Sequence, residues 1–240
     1  MNLILFEPGE VASGGEARLT GARAAHVIQV LGASPGRELR VGLVDGPRGA
    51  GVVTAVSASE VRLHCTFERD IPEPARVDLL LALPRPKVLR RLWAQVAALG
   101  VGRIVLTNAA RVERPYFDTH VLTPACYRPL LIEGLQQARD TRLPQVSIHR
   151  QFRRLIEDDL DALCPSGLRL VADPAGPVSP ESARREGDDG RVLVAVGPEG
   201  GWNAFEIDLL RRHRFQPVSL GPRTLRSDTA CIAVLARLGG

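Results

Sequence analysis

Three short stretches hold the residues best suited to chemistry: VADPAG (171–176), GPEGG (197–201) and LGPRTLRSDTA (220–230). Each follows an apolar run and sets glycine and proline beside a carboxylate, a hydroxyl or a guanidinium. Glycine admits backbone conformations and close approaches that other residues forbid, so such loops can hold a flat, polar ligand through main-chain N–H and C=O groups. Phosphate chemistry asks for something else. A triphosphate loop needs Gly-x-x-x-x-Gly-Lys-Ser/Thr and a dinucleotide site needs Gly-x-Gly-x-x-Gly, and neither string is present. Taken alone, Gly-Pro-Glu-Gly-Gly is equally a plain strand-to-helix turn with Asn203 as N-cap. The second Gly-Pro loop, with Arg223, Arg226, Asp228 and Thr229, repeats the design with charge.

Other chemistries find little support. Cys65, Cys126, Cys164 and Cys231 lie far apart, and His26, His64, His120, His149 and His213 form no ligand-spaced cluster, so neither a metal site nor a disulfide framework is expected. The N-terminal apolar run has no basic flank or cleavage site, and no stretch approaches the ~20 apolar residues of a spanning helix. No membrane association and a cytoplasmic, reducing setting follow as expectations.

The net charge of +4 is unevenly spread. Residues 1–75 hold seven Arg against nine Asp and Glu, leaving 24 basic and 18 acidic residues for the rest. Between Pro84 and Arg114 lie Arg85, Lys87, Arg90, Arg91, Arg103, Arg111 and Arg114 against the single acid Glu113. Such a run suits a polyanion, although in a chain with 30 Arg and one Lys a solvated helix face is the competing explanation.

The elements that must position these residues fall into two groups. Up to residue 75, alternating or apolar runs at 3–6, 38–44, 51–57 and 60–67 read as strands, with one amphipathic helix at 20–31, giving a small β-rich, barrel-like module. An acidic, proline-bearing stretch (68–78) then acts as linker. Over 76–240, apolar strands at 77–83, 103–107, 145–149, 168–172, 191–197 and 217–221 alternate with helices. The helices run over 87–99 with Gly100 behind, from Pro124 to about 139, over 153–163, from the Asn203 cap to about 212, and from a Ser227 cap to 238. This is the pattern of an α/β domain with a parallel sheet, in which ligands sit beyond the carboxyl ends of the strands.

With those residues in place, a family resemblance emerges. AVGPEGGWNAFEIDLL followed by FQPVSLGPRTLRSDTACIAVLARL resembles the C-terminal signature of the SPOUT-class RNA methyltransferases of the RsmE type, which methylate N3 of a uridine in 16S ribosomal RNA. HVIQVLGASPGRELRVGLVDG is similar to that family's N-terminal PUA-like barrel, and LALPRPKVLRRLWAQVAALGVGRIVLTNAARVER and EGLQQARDTRLPQV to its first catalytic-domain helix, second strand and middle helix. The match spans nearly the whole chain.

The resemblance implies a PUA-like RNA-recognition barrel at 1–75 and a SPOUT domain at 76–240 with a deep C-terminal trefoil knot, working as a homodimer on 16S rRNA or the small ribosomal subunit. It implies S-adenosylmethionine as cofactor, held by Val171, Ala172, Asp173 and Pro174, by Gly197, Pro198, Glu199, Gly200 and Gly201, and by Leu220, Gly221, Leu225, Arg226 and Thr229. No metal is implied. N3 lies on the Watson–Crick edge, so the base must be unpaired or flipped out. Arg226 would steady the base, and Asp228 or Glu199 would accept its proton. Alternatively Arg226 merely pairs with Asp228, or Asp228 serves the helix dipole. Arg85, Lys87, Arg90, Arg91, Arg111 and Arg114 would meet rRNA phosphates. The rival from another class is a non-catalytic RNA-binding or ribosome-assembly protein that keeps the knotted dimer.

Overall fold

Strand alternation and buried apolar runs build two compact units in the computed structural model, which describes residues 3–165, 167–184 and 190–239. One unit comprises Met1–Glu73 with Leu135–Leu143, the other Pro74–Gly134 with Pro144–Gly240. The sequence reading, with a single boundary after residue 75, contains no such return of 135–143 to the first unit.

The first unit holds β1 (Ile4–Phe6), β2 (Glu16–Thr20), α1 (Gly21–Gln29), β3 (Glu38–Leu43), β4 (Arg48–Val56) and β5 (Glu60–Phe67) in a five-stranded sheet of order β1-β3-β4-β5-β2. β1 runs parallel to β3 and the other pairings are antiparallel. Period-two alternation sends Val61, Leu63 and Cys65 of β5 inward and leaves Arg62, His64 and Thr66 in solvent. They join Phe6, Leu19, Val41 and the Ala24 and Val27 face of α1 in one core. β2 escaped the sequence reading because EARLT carries only two apolar residues. Within the same unit Thr141 is fully buried, donates its hydroxyl to the Gly46 carbonyl at 2.6 Å, and accepts the Asp45 N–H on its own carbonyl at 2.8 Å.

The second unit carries β6 (Val77–Ala82), α2 (Pro86–Ala98), β7 (Val101–Thr107), α3 (Pro124–Ala138) as far as Gly134, β8 (Gln145–His149), α4 (Phe152–Arg154), a π-helical turn (Leu155–Asp159) and α5 (Leu160–Leu163). There follow β9 (Leu168–Ala172), α6 (Pro180–Ala183), β10 (Val192–Val196), α7 (Ala204–Arg212), β11 (Phe215–Val218) and α8 (Ser227–Leu238). Its six strands are all parallel in the order β11-β9-β10-β6-β7-β8. Every residue of β6 and β10 is buried, as strands covered on both faces require. One face packs on the 152–163 helical stretch and α7; α2 and α8 pack on each other and over β7 and β10. The one charge in β6, Asp78, is fully buried and bound by Arg191 at 2.5 Å; burial nevertheless pushes its carboxyl above the ordinary carboxylate range.

Helix ends refine the sequence reading. Asn203 caps α7 as expected and forms a full capping box with Glu206. Gly100 follows α2 at φ +78°, the expected C′ position. Ser227, expected as a cap, is instead the first residue of α8, and Arg226 stands at the N-cap without a side-chain cap bond. No helix among the described residues is long and apolar enough to cross a membrane.

Candidate cofactor site

Beyond the carboxyl ends of β9, β10 and β11 the chain forms a cavity of about 310 Å³, within the size range of small-molecule sites. The three loops singled out by sequence make its wall. Ala172, Asp173 and Pro174 contribute from the first, Gly197, Pro198, Glu199, Gly200 and Gly201 from the second, and Leu220, Gly221 and Leu225 from the third. The structure does not bring Val171, Arg226 or Thr229 to that wall: Val171 faces the core, and the other two side chains are exposed. Trp202, Ile207, Arg223, Thr224 and Ser227 line it as well, and the apolar members supply packing surface that a glycine motif does not announce.

Each part of Gly-Pro-Glu-Gly-Gly has a local reason. Gly197 lies against the Trp202 indole, so close that a Cβ would meet Nε1 at 3.0 Å. Gly201 sits at φ +75°, a conformation that favours glycine. Trp202 stacks at 5.3 Å on Phe152, and its buried Nε1 has no partner among the described residues. Trp202, Ile207 and Leu225 give the cavity apolar surface for a flat ring, and the glycine-bearing loops bring main-chain N–H and C=O groups beside it, so the residues fit an adenine-bearing cofactor.

The loop is also held from outside. Glu199 Oε1 accepts the backbone N–H of Arg85 at 3.4 Å, at the start of α2. Glu206, 3% exposed, accepts the Ala110 N–H at 2.7 Å with one oxygen and the Asn203 N–H at 2.8 Å with the other. Arg111, expected among the RNA contacts, donates from Nη1 to the Gly200 carbonyl. Neither the Glu206 nor the Arg111 contact had a signal in the sequence, because the partners are 96 and 89 residues apart.

The charged candidates separate. Asp228 is the second residue of α8 and pairs with Arg91 at 3.4 Å, so the expected alternative of an Arg226–Asp228 pair is not formed. Arg226 is exposed and makes no ion pair among the described residues. Arg85, Lys87, Arg90 and Arg91 are all exposed at the N-terminal end of α2, the last three at helical spacing; Arg114 is exposed at the head of a short 3-10 turn, Arg114–Asp118.

Fold and site together define a class: an open parallel α/β sheet with a ligand cavity beyond three adjacent strands. Residues 72–239 match the RNA methyltransferase domain family. Over 98% of this chain and 90% of the relative, it is 31% identical to ribosomal RNA small subunit methyltransferase E of Treponema pallidum; the Synechocystis protein of that name is 27% identical over 92% and 71%. A solved structure of ribosomal RNA small subunit methyltransferase E from Neisseria gonorrhoeae, bound to S-adenosyl methionine, aligns with TM-score 0.76 at 19% identity, over 98% of this chain and 95% of that one. The chain belongs to the RNA methyltransferase domain family that includes ribosomal RNA small subunit methyltransferase E.

Proposed function

We propose that this protein is an S-adenosylmethionine-dependent methyltransferase that modifies N3 of a uridine in 16S ribosomal RNA. The observation that carries this reading is the cavity itself: in a chain of this family, three sequence-separated loops converge on one space beyond the sheet. The Neisseria relative's bound cofactor supports the ligand class. In finer detail, the C-terminal segment is threaded as a trefoil knot, the molecule is a cytoplasmic homodimer, the N-terminal sheet is a PUA-like module for RNA recognition, and the second unit carries the chemistry.

The cofactor supplies an activated methyl group on a sulfonium. The chain's own task is then alignment, exclusion of water and removal of one proton. Trp202, Ile207 and Leu225 would cover the flat part of the cofactor, with main-chain groups of Gly197, Gly200 and Leu220 binding its polar edges. Asp228, held by Arg91 next to the wall residue Ser227, takes the imide proton, and the exposed guanidinium of Arg226 steadies the charge that develops on the base. Glu199, engaged at the start of α2, acts as a structural acceptor. Arg85, Lys87, Arg90 and Arg114 meet phosphates.

Two measurements test the reading. Calorimetric titration of the folded protein with S-adenosylmethionine should show saturable binding, and none at all would reject the enzyme in favour of a non-catalytic RNA-binding protein. Small-subunit rRNA from a strain lacking the gene should lose one 3-methyluridine; an unchanged modification profile would remove the substrate assignment.

A further inference from the structure

All five residues of the glycine loop 197–201 border the cavity, and Arg111, which touches the loop, is not among the lining residues. Arg111 is exposed and lies against Gly200. Its Nη1 donates to the Gly200 carbonyl, and its stem passes so near that a Cβ on Gly200 would come within 2.8 Å of Cδ. A Cβ on Gly201 would stand 3.9 Å from Nη1. The neighbouring residue is tied down independently, since the Ala110 N–H is bound by buried Glu206 at 2.7 Å. The peptide joining Gly200 to Gly201 is therefore pinned at both ends, its carbonyl by Arg111 and its N–H by the Pro198 carbonyl at 2.8 Å.

A peptide between two glycines has no side chain to resist rotation, and freezing it on binding costs conformational entropy. A contact that fixes it beforehand removes that cost from the binding step. An arginine suits the task because its planar fork stays charged and holds a carbonyl in a defined direction, whereas lysine offers a rotating point charge. We infer that Arg111 is a positioning residue for the cofactor: it clasps the Gly200 carbonyl from behind so that the loop is set in its binding shape before the ligand arrives. The inference rests on the methyltransferase reading, and it moves Arg111 from the RNA surface to the support of the cofactor loop.

The test compares wild type with R111A and R111K in the full-length protein. R111A should weaken S-adenosylmethionine binding by about tenfold, the loss expected of one charge-assisted hydrogen bond. R111K should recover only part of that affinity. The salt dependence of binding to a 16S rRNA transcript should be the same in all three. Hydrogen exchange at the Gly201 amide, read in the cofactor-free protein, should quicken in R111A while the β10 amides stay protected. An R111A protein with wild-type cofactor affinity and unchanged Gly201 exchange overturns the clasp. A salt slope reduced by about one in that same variant would identify Arg111 as a phosphate contact instead. If wild type itself binds no cofactor, the site reading fails, and the exchange measurement still decides whether the peptide is clasped.

Discussion

Glu199 and Asp228 are both carboxylates beside the same cavity, and their partners set them apart. Glu199 already accepts an N–H from the start of α2, a role that needs only an acceptor oxygen. Asp228 faces a cation, Arg91, beside wall residue Ser227. E199Q keeps an acceptor and should turn over within about twofold of wild type, whereas D228N removes the proposed base and should lower kcat by roughly 10²–10⁴ with cofactor affinity held. Steady-state kinetics with titrated cofactor would decide, and the reverse ranking would exchange the two roles. Much at this scale was legible from sequence. The Asn203 cap stands directly ahead of a helical pattern, and the glycines announce close approach whatever their neighbours are. A charge, however, carries no direction: Arg111 sits in a basic run, yet its guanidinium reaches Gly200. Trp202 was hidden differently, because a single tryptophan after two glycines does not say that its ring will form part of the cavity wall.

Among the elements, strands buried on both faces betray themselves by unbroken apolar runs, which is why β6 and β10 were found, while edge strand β2 with its polar alternation was not. Packing also sets cysteine chemistry. Cys231 in α8 and Cys164 just after α5 are fully buried, and burial pushes their thiols up to about 12 and about 11; Cys65 in β5 is raised for the same reason. Cys126 on α3 is half-buried. A thiol reagent at pH 8 should therefore modify Cys126 alone in native protein and all four cysteines in denaturant, as peptide mass mapping would show; rapid native labelling of Cys231 would mean that α8 is not packed as described. The sign of the alkaline limb follows. These thiols hold their protons more tightly folded than unfolded, so stability is intact below the ordinary thiol value of about 8.5 and declines as pH rises from there through about 11 and 12. Urea midpoints that stay flat from pH 8 to 10.5 would contradict that burial.

For the whole molecule, the first unit's opening stretch ends at Glu73, inside the acidic, proline-bearing run 68–78 where the composition changes. The return of Leu135–Leu143 was invisible, since those residues read as the tail of a helix and the turn after it. Their bonds are nonetheless specific. Thr141 closes on Gly46 and Asp45, the Leu143 N–H meets Asp45 Oδ1 at 2.9 Å, and Arg142 Nε donates to the Pro72 carbonyl at 2.5 Å. Gly42 leaves the space that the Thr141 methyl occupies, where a Cβ would come within 2.9 Å of it. A fragment of residues 1–75 would expose that seat and leave the Gly46 carbonyl and Asp45 N–H to water. Small domains have little stability to spare, so losing these contacts matters more than their number suggests. The fragment should give a poorly dispersed amide spectrum and no cooperative thermal transition. In the full chain, T141V should cost about 1–2 kcal/mol by removing one buried hydrogen bond while keeping the shape. A well-dispersed, cooperatively melting 1–75 fragment would show that the first unit is complete without its returning segment, and a T141V protein as stable as wild type would show that the segment's one buried hydroxyl is idle.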